Sequence, residues 1–364
     1  FENFNEYFGR HISSISDEEL KKSLTNALLL MPSYTENRIG SPSITIHLNS
    51  NVSNSKNAYR ITQATLEAYC FYLERTPIPR INLVVDTKSS HDNDVLNAVS
   101  KVITLGGRVA LSSSNTSRSY SGLRRNLKDG EYEADWTGVL HSLSVNLPRL
   151  SYESSRDETY FRAKLALLLQ LSVSALSTRR EIMLDLVKKG ILPTLTLNPD
   201  PSSTEVMPLV INLVGLKEAI NYLVGEKISQ NSGGSLVKKI VETAVKVTQE
   251  TAQKNGVIAG IAITDDDDIE ERFSRLDAEK YGKATAILGG DGSAYTRVPL
   301  INPEDLKERT SVEDVKWLFN NLNGGYYSRI DATDLVYDEG LVKNLKDISN
   351  KVDFFRLYRE INTC

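Results

Sequence analysis

The residues whose types and spacing best suit ligand chemistry are Asn146 and Arg149, at the end of a strand-like segment. The Asn146 amide can hydrogen-bond to hydroxyl groups of a ligand without adding charge. It can also cap or bridge backbone groups before Pro148, which has no amide hydrogen to donate. The Arg149 guanidinium can contact a phosphate or form a structural ion pair. The residue types alone leave both interpretations open for each side chain.

A second group of basic side chains lies in a segment rich in serine and asparagine, residues 112–135. Arg118, Arg124 and Arg125, together with the hydroxyl groups around them, could hold an anion such as a phosphate or a carboxylate. The alternative is a surface loop of linker-like composition without a ligand. The candidate ligand-binding set is therefore Asn146, Arg149, Arg124 and Arg125.

Four consecutive aspartates, Asp265, Asp266, Asp267 and Asp268, precede a helix-like segment. Their carboxylates would repel a triphosphate. They could bind Mg²⁺ or Ca²⁺ through oxygen ligands, although their spacing is not that of a calcium-binding loop. A helix cap is the alternative, because carboxylates stabilise the amino-terminal end of a helix. We therefore expect nucleoside triphosphates to bind weakly here, if they bind at all.

Other arrangements that bind cofactors are missing from the sequence. The four histidines are too dispersed for the spacing of a metal site. No glycine-rich loop followed by Lys-Ser or Lys-Thr occurs, and the glycine-rich residues 289–293 are interpreted as a turn. We predict no cofactor and no metal.

Four stretches in order carry a resemblance to a known family. They are the strand running into Asn146-Leu147-Pro148-Arg149, the helix-like segment opened by Asp157-Glu158, residues 211–220 and residues 272–281. Together they resemble the catalytic part of the anaerobic (class III) ribonucleoside-triphosphate reductases. The resemblance implies a ten-stranded α/β barrel and a cysteine thiyl radical on a loop inside it. It also implies a glycyl radical near the carboxyl terminus, a four-cysteine zinc site just before that glycine, and a homodimer with an allosteric nucleotide site at its interface.

Cysteine usage departs from that family pattern. The chain has two cysteines, Cys70 and Cys364, and Cys364 is where the resemblance implies the start of the zinc-binding segment. The radical-bearing loop should fall within residues 112–135, where the closest local match is residues 122–127, and no sulfur occurs there. Cys70 lies in a segment with the apolar spacing of a helix and is interpreted as a small core residue.

Three functions follow as hypotheses. The first is a catalytically degenerate reductase-like protein, not an enzyme, that uses the barrel as a scaffold for binding or assembly. The second is an anaerobic ribonucleoside-triphosphate reductase core whose radical and zinc segments lie outside this chain. The third retains a small-molecule or nucleotide site at Asn146 and Arg149 without radical chemistry.

Composition restricts the partners. The formal net charge of -4 and the scattered lysines and arginines argue against a nucleic-acid partner. The apolar runs are shorter than the ~20 residues needed to span a bilayer, so no membrane association is predicted. No signal peptide is expected, although the absence of an initiator methionine suggests trimming, and two distant cysteines are typical of a reducing cytoplasm.

Hydrophobic periodicity alternates between helix and strand along residues 1–364, which predicts α/β units with much parallel sheet. We predict one barrel domain. The helices are expected at residues 17–31, 58–75, 92–105, 157–189, 216–225, 236–255, 269–281, 311–322 and 339–351. The strands are expected at residues 43–48, 80–85, 108–112, 139–146, 257–263, 284–288 and 326–330. The helices at 157–189 and 236–255 carry enough apolar positions for a homo-oligomer interface.

Overall fold

The structure is a computed structural model, and every structural statement below concerns the part of the chain that it describes. The described residues are 4–9, 12, 15–30, 44–48, 56–76, 80–86, 93–112, 139–191, 208–225, 231–264, 269–282, 294–296, 298, 300–333 and 340–358.

Helices and strands alternate along most of the chain. The helices are α1 Phe4–Gly9, α2 Asp17–Leu30, α3 Lys56–Leu73, α4 Asn93–Thr104, α5 Leu147–Glu153, α6 Glu158–Lys188, α7 Leu216–Val224, α8 Asn231–Lys254, α9 Ile269–Tyr281, α10 Arg309–Asn321 and α11 Leu341–Ser349. The strands are β1 Ile44–Leu48, β2 Ile81–Asp86, β3 Arg108–Ser112, β4 His141–Asn146, β5 Leu209–Val214, β6 Ala259–Ile263, β7 Leu300–Ile301, β8 Gly325–Tyr326, β9 Ser328–Asp331 and β10 Phe354–Tyr358. A short 3-10 helix occupies Asp305–Lys307.

The chain divides into two compact units, and each has one sheet. The first unit contains residues 1–117, 300–312 and 328–364. Its six strands are ordered β1-β2-β3-β10-β9-β7, and every neighbouring pair is parallel except the antiparallel pair of β3 and β10. All six residues of β2 are buried, as is usual for a strand inside a mostly parallel sheet.

The second unit contains residues 118–299 and 313–327. Its four strands are ordered β4-β5-β6-β8, and all are parallel. Parallel strands place their carboxyl ends at one edge, so the residues that follow β4, β5 and β6 meet there. In this way the fold brings together residues that are far apart in sequence.

Helix α6 is attached to the second unit by one apolar face. Phe161, Leu165, Leu169, Val173 and Leu176 are all completely buried. Their spacing of three or four residues puts them on one side of the helix, which packs against β4, β5 and α8. Burying each such side chain contributes about 1.5–3 kcal/mol.

The helix and strand predictions were confirmed for the most part. Ser16 caps α2 through reciprocal hydrogen bonds with Glu19, and Asp157 caps α6. The helix predicted to start at residue 311 begins two residues earlier, at Arg309. The strand predicted at 326–330 is two strands, β8 and β9, which belong to different sheets. The strand predicted at 284–288 lies outside the described residues.

Sequence patterns missed α1, α5, β5, β7 and β10. β5 is buried on both faces and therefore lacks the alternation that marks a half-exposed strand. α5 is only seven residues long and has Pro148 in its first turn. Proline is accepted there because the first amide of a helix has no intrahelical acceptor.

The predicted α/β class with parallel sheets is confirmed. Among the described residues the ten strands pair into two sheets, and their hydrogen bonds do not join them into a closed barrel. The single-domain prediction is not tested by the division into two units. None of the helices described here has the length and apolar character needed to cross a membrane.

His47 on β1 leads to a prediction about acid stability. Its side chain is buried, and burial lowers its pKa from 6.5 to about 4. The unfolded chain therefore binds a proton more readily than the folded chain between these values, so stability falls as the pH drops through this window. At pH 5 the loss relative to pH 8 is about 2 kcal/mol from this group.

Urea unfolding at pH 8 and pH 5, followed by circular dichroism, measures this loss. We expect His47→Gln to reduce the pH dependence by about 2 kcal/mol relative to the wild type. His141→Gln is the comparison variant. Burial also lowers the pKa of His141, but the His141 side chain is only partly buried. Equal pH dependence in wild type and His47→Gln would show that His47 does not titrate in this way.

Candidate functional site

The Asn-Leu-Pro-Arg motif forms a strand-to-helix turn. Asn146 is the last residue of β4 and the N-cap of α5, and its side-chain oxygen accepts a hydrogen bond from the Arg149 amide at 3.0 Å. Capping by asparagine satisfies an amide that has no partner within the helix. One short turn thus carries both the Asn146 amide group and the Arg149 guanidinium.

The buried carboxylate of Asp277, on α9, is the common partner of both side chains. Asn146 Nδ2 donates to Asp277 Oδ2 at 2.8 Å. Arg149 Nε donates to Asp277 Oδ1 at 2.6 Å, and Arg149 Nη2 lies 2.5 Å from the same oxygen. Charge-assisted hydrogen bonds of this kind are stronger than neutral ones.

Burial makes this ion pair asymmetric. Asp277 is completely buried, whereas the Arg149 side chain is 34% exposed. A carboxylate without water needs several donors to offset its desolvation. Asp277 has them, because Tyr295 also donates its hydroxyl to Oδ2 at 2.7 Å.

A cluster of tyrosines surrounds this carboxylate. The Tyr152 ring meets Tyr222 edge-on, with ring centroids 4.8 Å apart, and it meets Tyr281 at 5.3 Å. Tyr152 and Tyr295 influence each other's pKa. Burial raises the pKa of Tyr152, and burial together with the bond to Asp277 raises the pKa of Tyr295. Both tyrosines are therefore hydrogen-bond donors across the physiological pH range.

Glu153, at the end of α5, connects three helices near this cluster. Its carboxylate lies 3.0 Å from Lys164 Nζ of α6 and 3.2 Å from Lys280 Nζ of α9, and it accepts from the Tyr281 hydroxyl at 3.3 Å. The hydrogen bond from Lys164 is the main cause of the lowered pKa of Glu153. These contacts link α5, which carries Arg149, to α9, which carries Asp277.

A second buried carboxylate lies after β5. Gly215, with φ of +74°, turns the chain into α7, and Glu218 lies in the first turn of that helix. Glu218 is 1% exposed, and its Oε1 accepts hydrogen bonds from Thr296 N at 2.9 Å and from Thr296 Oγ1. Asp277 and Glu218 thus hold the adjacent residues Tyr295 and Thr296.

The structure brings together only some of the residues that the sequence singled out. Asn146 and Arg149 share the Asp277 carboxylate. Arg118, Arg124 and Arg125 lie outside the described residues, and so do the aspartates Asp265, Asp266, Asp267 and Asp268. Their proposed roles stay predictions.

Within the described ranges, no three His, Cys, Asp or Glu side chains come together as a metal site. The zinc site implied by the family resemblance needs four thiolates. The chain has two cysteines, of which Cys70 lies half-buried on α3. These residues do not fit that zinc site.

Asp277, Tyr295, Tyr152 and Glu218 were not predicted as site residues. A signal for Asp277 was present, because Glu270, Ser274 and Asp277 recur at helical spacing on one side of α9 and all three are buried. A polar stripe of that kind, within a segment already matched to the family, could have marked α9 as facing a polar interior. No local pattern pointed to Tyr295, which follows a glycine-rich stretch.

The mostly parallel sheets define this chain as an α/β protein. Its candidate site lies at the carboxyl edge of a sheet, where polar side chains gather at the strand ends. The family model for anaerobic ribonucleoside-triphosphate reductase matches residues 1–364. The chain therefore belongs to the anaerobic ribonucleoside-triphosphate reductase family.

Two curated relatives are anaerobic ribonucleoside-triphosphate reductases, from Salmonella typhimurium and Escherichia coli. Each is 28% identical over 194 residues, which is 49% of this chain and 27% of the relative. The alignments thus span about a quarter of the length of these curated relatives.

Two solved structures of the anaerobic ribonucleotide reductase from Thermotoga maritima share the fold. The one with glycerol in its active site matches with a TM-score of 0.71 at 15% identity, covering 100% of this chain and 65% of that chain. The complex with dATP and CTP matches with a TM-score of 0.72 at 14% identity, covering 98% and 65%. This chain therefore spans just under two thirds of those chains.

Proposed function

We propose that this chain is a member of the reductase family that does not reduce ribonucleotides and that keeps the fold as a scaffold for binding or assembly. The observation that carries this proposal is the lack of cysteine in residues 112–135, where the family resemblance implies the radical-bearing loop. Hydrogen abstraction from a ribose needs a one-electron oxidant within bond-making distance. In the family pattern, the thiol of the loop cysteine supplies it.

Cys70 is a poor substitute for the loop cysteine. It lies within α3, where neighbouring residues form the apolar face of the helix, and burial raises the pKa of its thiol. We propose that Cys70 is a packing residue.

The test is an anaerobic assay with ribonucleoside triphosphates, a radical-generating activase and a reductant. We expect no deoxynucleotide from the wild type, and we expect Cys70→Ala to behave like the wild type in folding and self-association. Deoxynucleotide that forms with the wild type and disappears with Cys70→Ala would identify Cys70 as the radical cysteine and overturn the proposal.

A second candidate is the core of an anaerobic ribonucleoside-triphosphate reductase whose radical and zinc segments lie outside this chain. The partial coverage of the relatives favours it, since the matches span 27% of the curated relatives and 65% of the solved chains. Product that forms only after a second polypeptide bearing a glycyl radical and a zinc site is added would favour this candidate. It would still need a thiol that residues 112–135 do not contain.

We propose that the ten strands of the two sheets belong to the ten-stranded barrel of the family and that the chain functions as one domain. The number of strands, the predominance of parallel pairs and the likeness to the Thermotoga maritima structures support this.

The proposed location is the reducing cytoplasm, because this environment suits a chain with two cysteines far apart in sequence.

We also propose a small-ligand site at Asn146 and Arg149. The Arg149 side chain is 34% exposed while it holds Asp277, so part of this side chain faces water. Arg124 and Arg125 are proposed to contribute further positive charge. Asp265 to Asp268 are proposed to cap a helix and to disfavour triphosphates, with cation binding as the weaker alternative.

We propose further that the protein forms a homo-oligomer through α6. This helix buries one face in its own unit, whereas Tyr160, Leu167, Leu171 and Ile182 are at least half exposed. Large apolar side chains in a row on a helix surface mark an interaction site more often than isolated ones do. The neighbouring helix α8 packs against α6 and is the second candidate element.

Replacing Leu167 and Leu171 by glutamate tests the interface. These side chains are 62% and 68% exposed, so the substitutions cost the folded protomer little. At an interface, two buried charges without partners would weaken association by several kcal/mol. We expect the double variant to lower the mass measured by light scattering to that of one chain.

Asn97→Glu, at an exposed position of α4, is the matched control and should keep the mass of the wild type. A wild-type mass of one chain at all concentrations would count against the interface.

A further inference from the structure

Within the second unit, two buried carboxylates hold Tyr295 and Thr296. We call these two residues the clasp. The Tyr295 hydroxyl donates to Asp277 Oδ2 of α9 at 2.7 Å. The Thr296 amide donates to Glu218 Oε1 of α7 at 2.9 Å, and the Thr296 hydroxyl donates to the same oxygen. The clasp thus joins two helices that follow neighbouring strands, β5 and β6.

The two carboxylates differ in how well they are compensated. Asp277 contacts the Arg149 guanidinium and two further donors, so its negative charge has a cation beside it. Glu218 is 1% exposed, and its Oε2 is buried without a hydrogen-bond partner in the described part of the chain. A buried carboxylate oxygen without a donor is costly when it is charged and much less so when it is protonated.

We propose that the clasp is a proton-dependent latch: it is closed while Glu218 carries a proton, and ionisation of Glu218 releases Thr296. A protonated Glu218 still offers Oε1 to both Thr296 donors, and its proton can reside on the unpartnered Oε2. An ionised Glu218 gains more from water than from Thr296 alone, because release of Thr296 lets water reach both oxygens.

Several charged or titratable groups act on this latch. Burial is the main cause of the raised pKa of Glu218, while the hydrogen bonds from Thr296 and from the backbone amide of Glu218 itself, and the charge of Lys217 on the same helix, lower it. Tyr152 of α5 interacts electrostatically with both Glu218 and Asp277. Tyr295, from the clasp itself, has a raised pKa and stays a neutral donor.

The direction of the pH effect follows from the raised pKa. Glu218 in the closed state binds its proton more tightly than a glutamate with an ordinary pKa of 4.5, which is the value for the opened state. Opening therefore becomes more favourable as the pH rises from that value to the raised one, by about tenfold per pH unit within the window. Above the raised pKa the opening equilibrium no longer changes.

The latch also bears on the candidate ligand site, because the clasp shares Asp277 with Asn146 and Arg149. When the clasp opens, Tyr295 leaves Asp277 and the carboxylate loses one of its donors. Asn146 and Arg149 are then the remaining donors to the Asp277 carboxylate among the described residues. The latch itself does not depend on whether the protein reduces ribonucleotides.

Amide-resolved hydrogen exchange of the full chain between pH 5 and pH 8 tests the latch. After correction for the intrinsic pH dependence of exchange, we expect protection of the Thr296 amide to fall about tenfold per pH unit until it levels off. Glu218→Gln, which keeps the shape and the acceptor oxygen but cannot ionise, should give protection that does not vary with pH. The Gly225 amide, bonded to Asn221 at the far end of α7, is the internal control and should stay level in both proteins.

Equal pH profiles for Thr296 in the wild type and in Glu218→Gln would overturn the proposal, as would protection that rises with pH. Thr296→Val provides a second test if Glu218→Gln does not fold. This variant removes the hydroxyl donor and keeps the amide donor, so protection of residue 296 should be lower than in the wild type at every pH. Unchanged protection in Thr296→Val would also contradict the latch.

Discussion

Replacing Asp277 by alanine should lower the free energy of unfolding by about 3 kcal/mol. The substitution removes the acceptor of Asn146, Arg149 and Tyr295 at once. Breaking a buried ion pair costs about 3–5 kcal/mol when the remaining charge stays buried. The lower end applies here, because Arg149 is 34% exposed and water can partly replace its partner.

Two comparisons separate charge from shape at this position. Asp277→Asn keeps the size and one acceptor oxygen, so we expect a smaller loss of about 1–2 kcal/mol. Asp185→Ala removes an exposed carboxylate that pairs with Lys189 on α6, and it should cost under about 0.5 kcal/mol. Urea unfolding at neutral pH gives all three values. An effect of Asp277→Ala no greater than that of Asp185→Ala would mean that the buried network does not stabilise the fold.

Replacing Gly215 by alanine should lower the free energy of unfolding by about 2–5 kcal/mol, from two separate causes. Gly215 has φ of +74°, a conformation that costs an L-residue about 1–2 kcal/mol. A Cβ at this position would also lie 2.5 Å from Pro148 Cγ and 2.6 Å from Pro148 Cδ. The ring of Pro148 is held in the first turn of α5, so it can yield little, and overpacking adds about 1–3 kcal/mol.

Gly225→Ala is the matched control, because Gly225 ends the same helix with φ of +70° and a Cβ added there would meet no atom of the described residues within 4 Å. Its cost should be the conformational part alone, about 1–2 kcal/mol. The difference between the two variants in thermal or urea unfolding measures the contact between Gly215 and Pro148. Equal losses would mean that α5 shifts freely to accept the new methyl group.

This contact also ties together two of the segments that carried the family resemblance. Gly215 belongs to the block at residues 211–220, and Pro148 belongs to the Asn-Leu-Pro-Arg motif. The sequence showed both segments in order, but it held no information on their distance in space. Their contact follows from the parallel pairing of β4 with β5, which aligns Asn146 with Val214 and so brings the two following turns together.

Local chemistry alone was enough to determine a good part of this protein. Caps such as Ser16 and Asp157, and the apolar spacing of α6, depend on residues at most a few positions apart, so they can be read directly from the chain. The placement of Asn146 and Arg149 on one turn is local in the same sense, because the two residues are three positions apart and one caps the amide of the other. The family resemblance, which the match to residues 1–364 confirmed, also rested on short ordered segments.

The tertiary structure alone decided which partners these residues have. Asp277 is 131 positions from Asn146 and 128 from Arg149, and the polar stripe on α9 to which it belongs does not identify the donors that its carboxylate meets. Two-sided burial hid β5, because a strand without an exposed face has no alternation to detect. A carboxylate such as Asp277 or Glu218 can be an exposed surface charge or a buried acceptor, depending on the donors that other strands and helices bring to it. The hydrogen bonds and ion pairs that offset its desolvation form only when the chain folds.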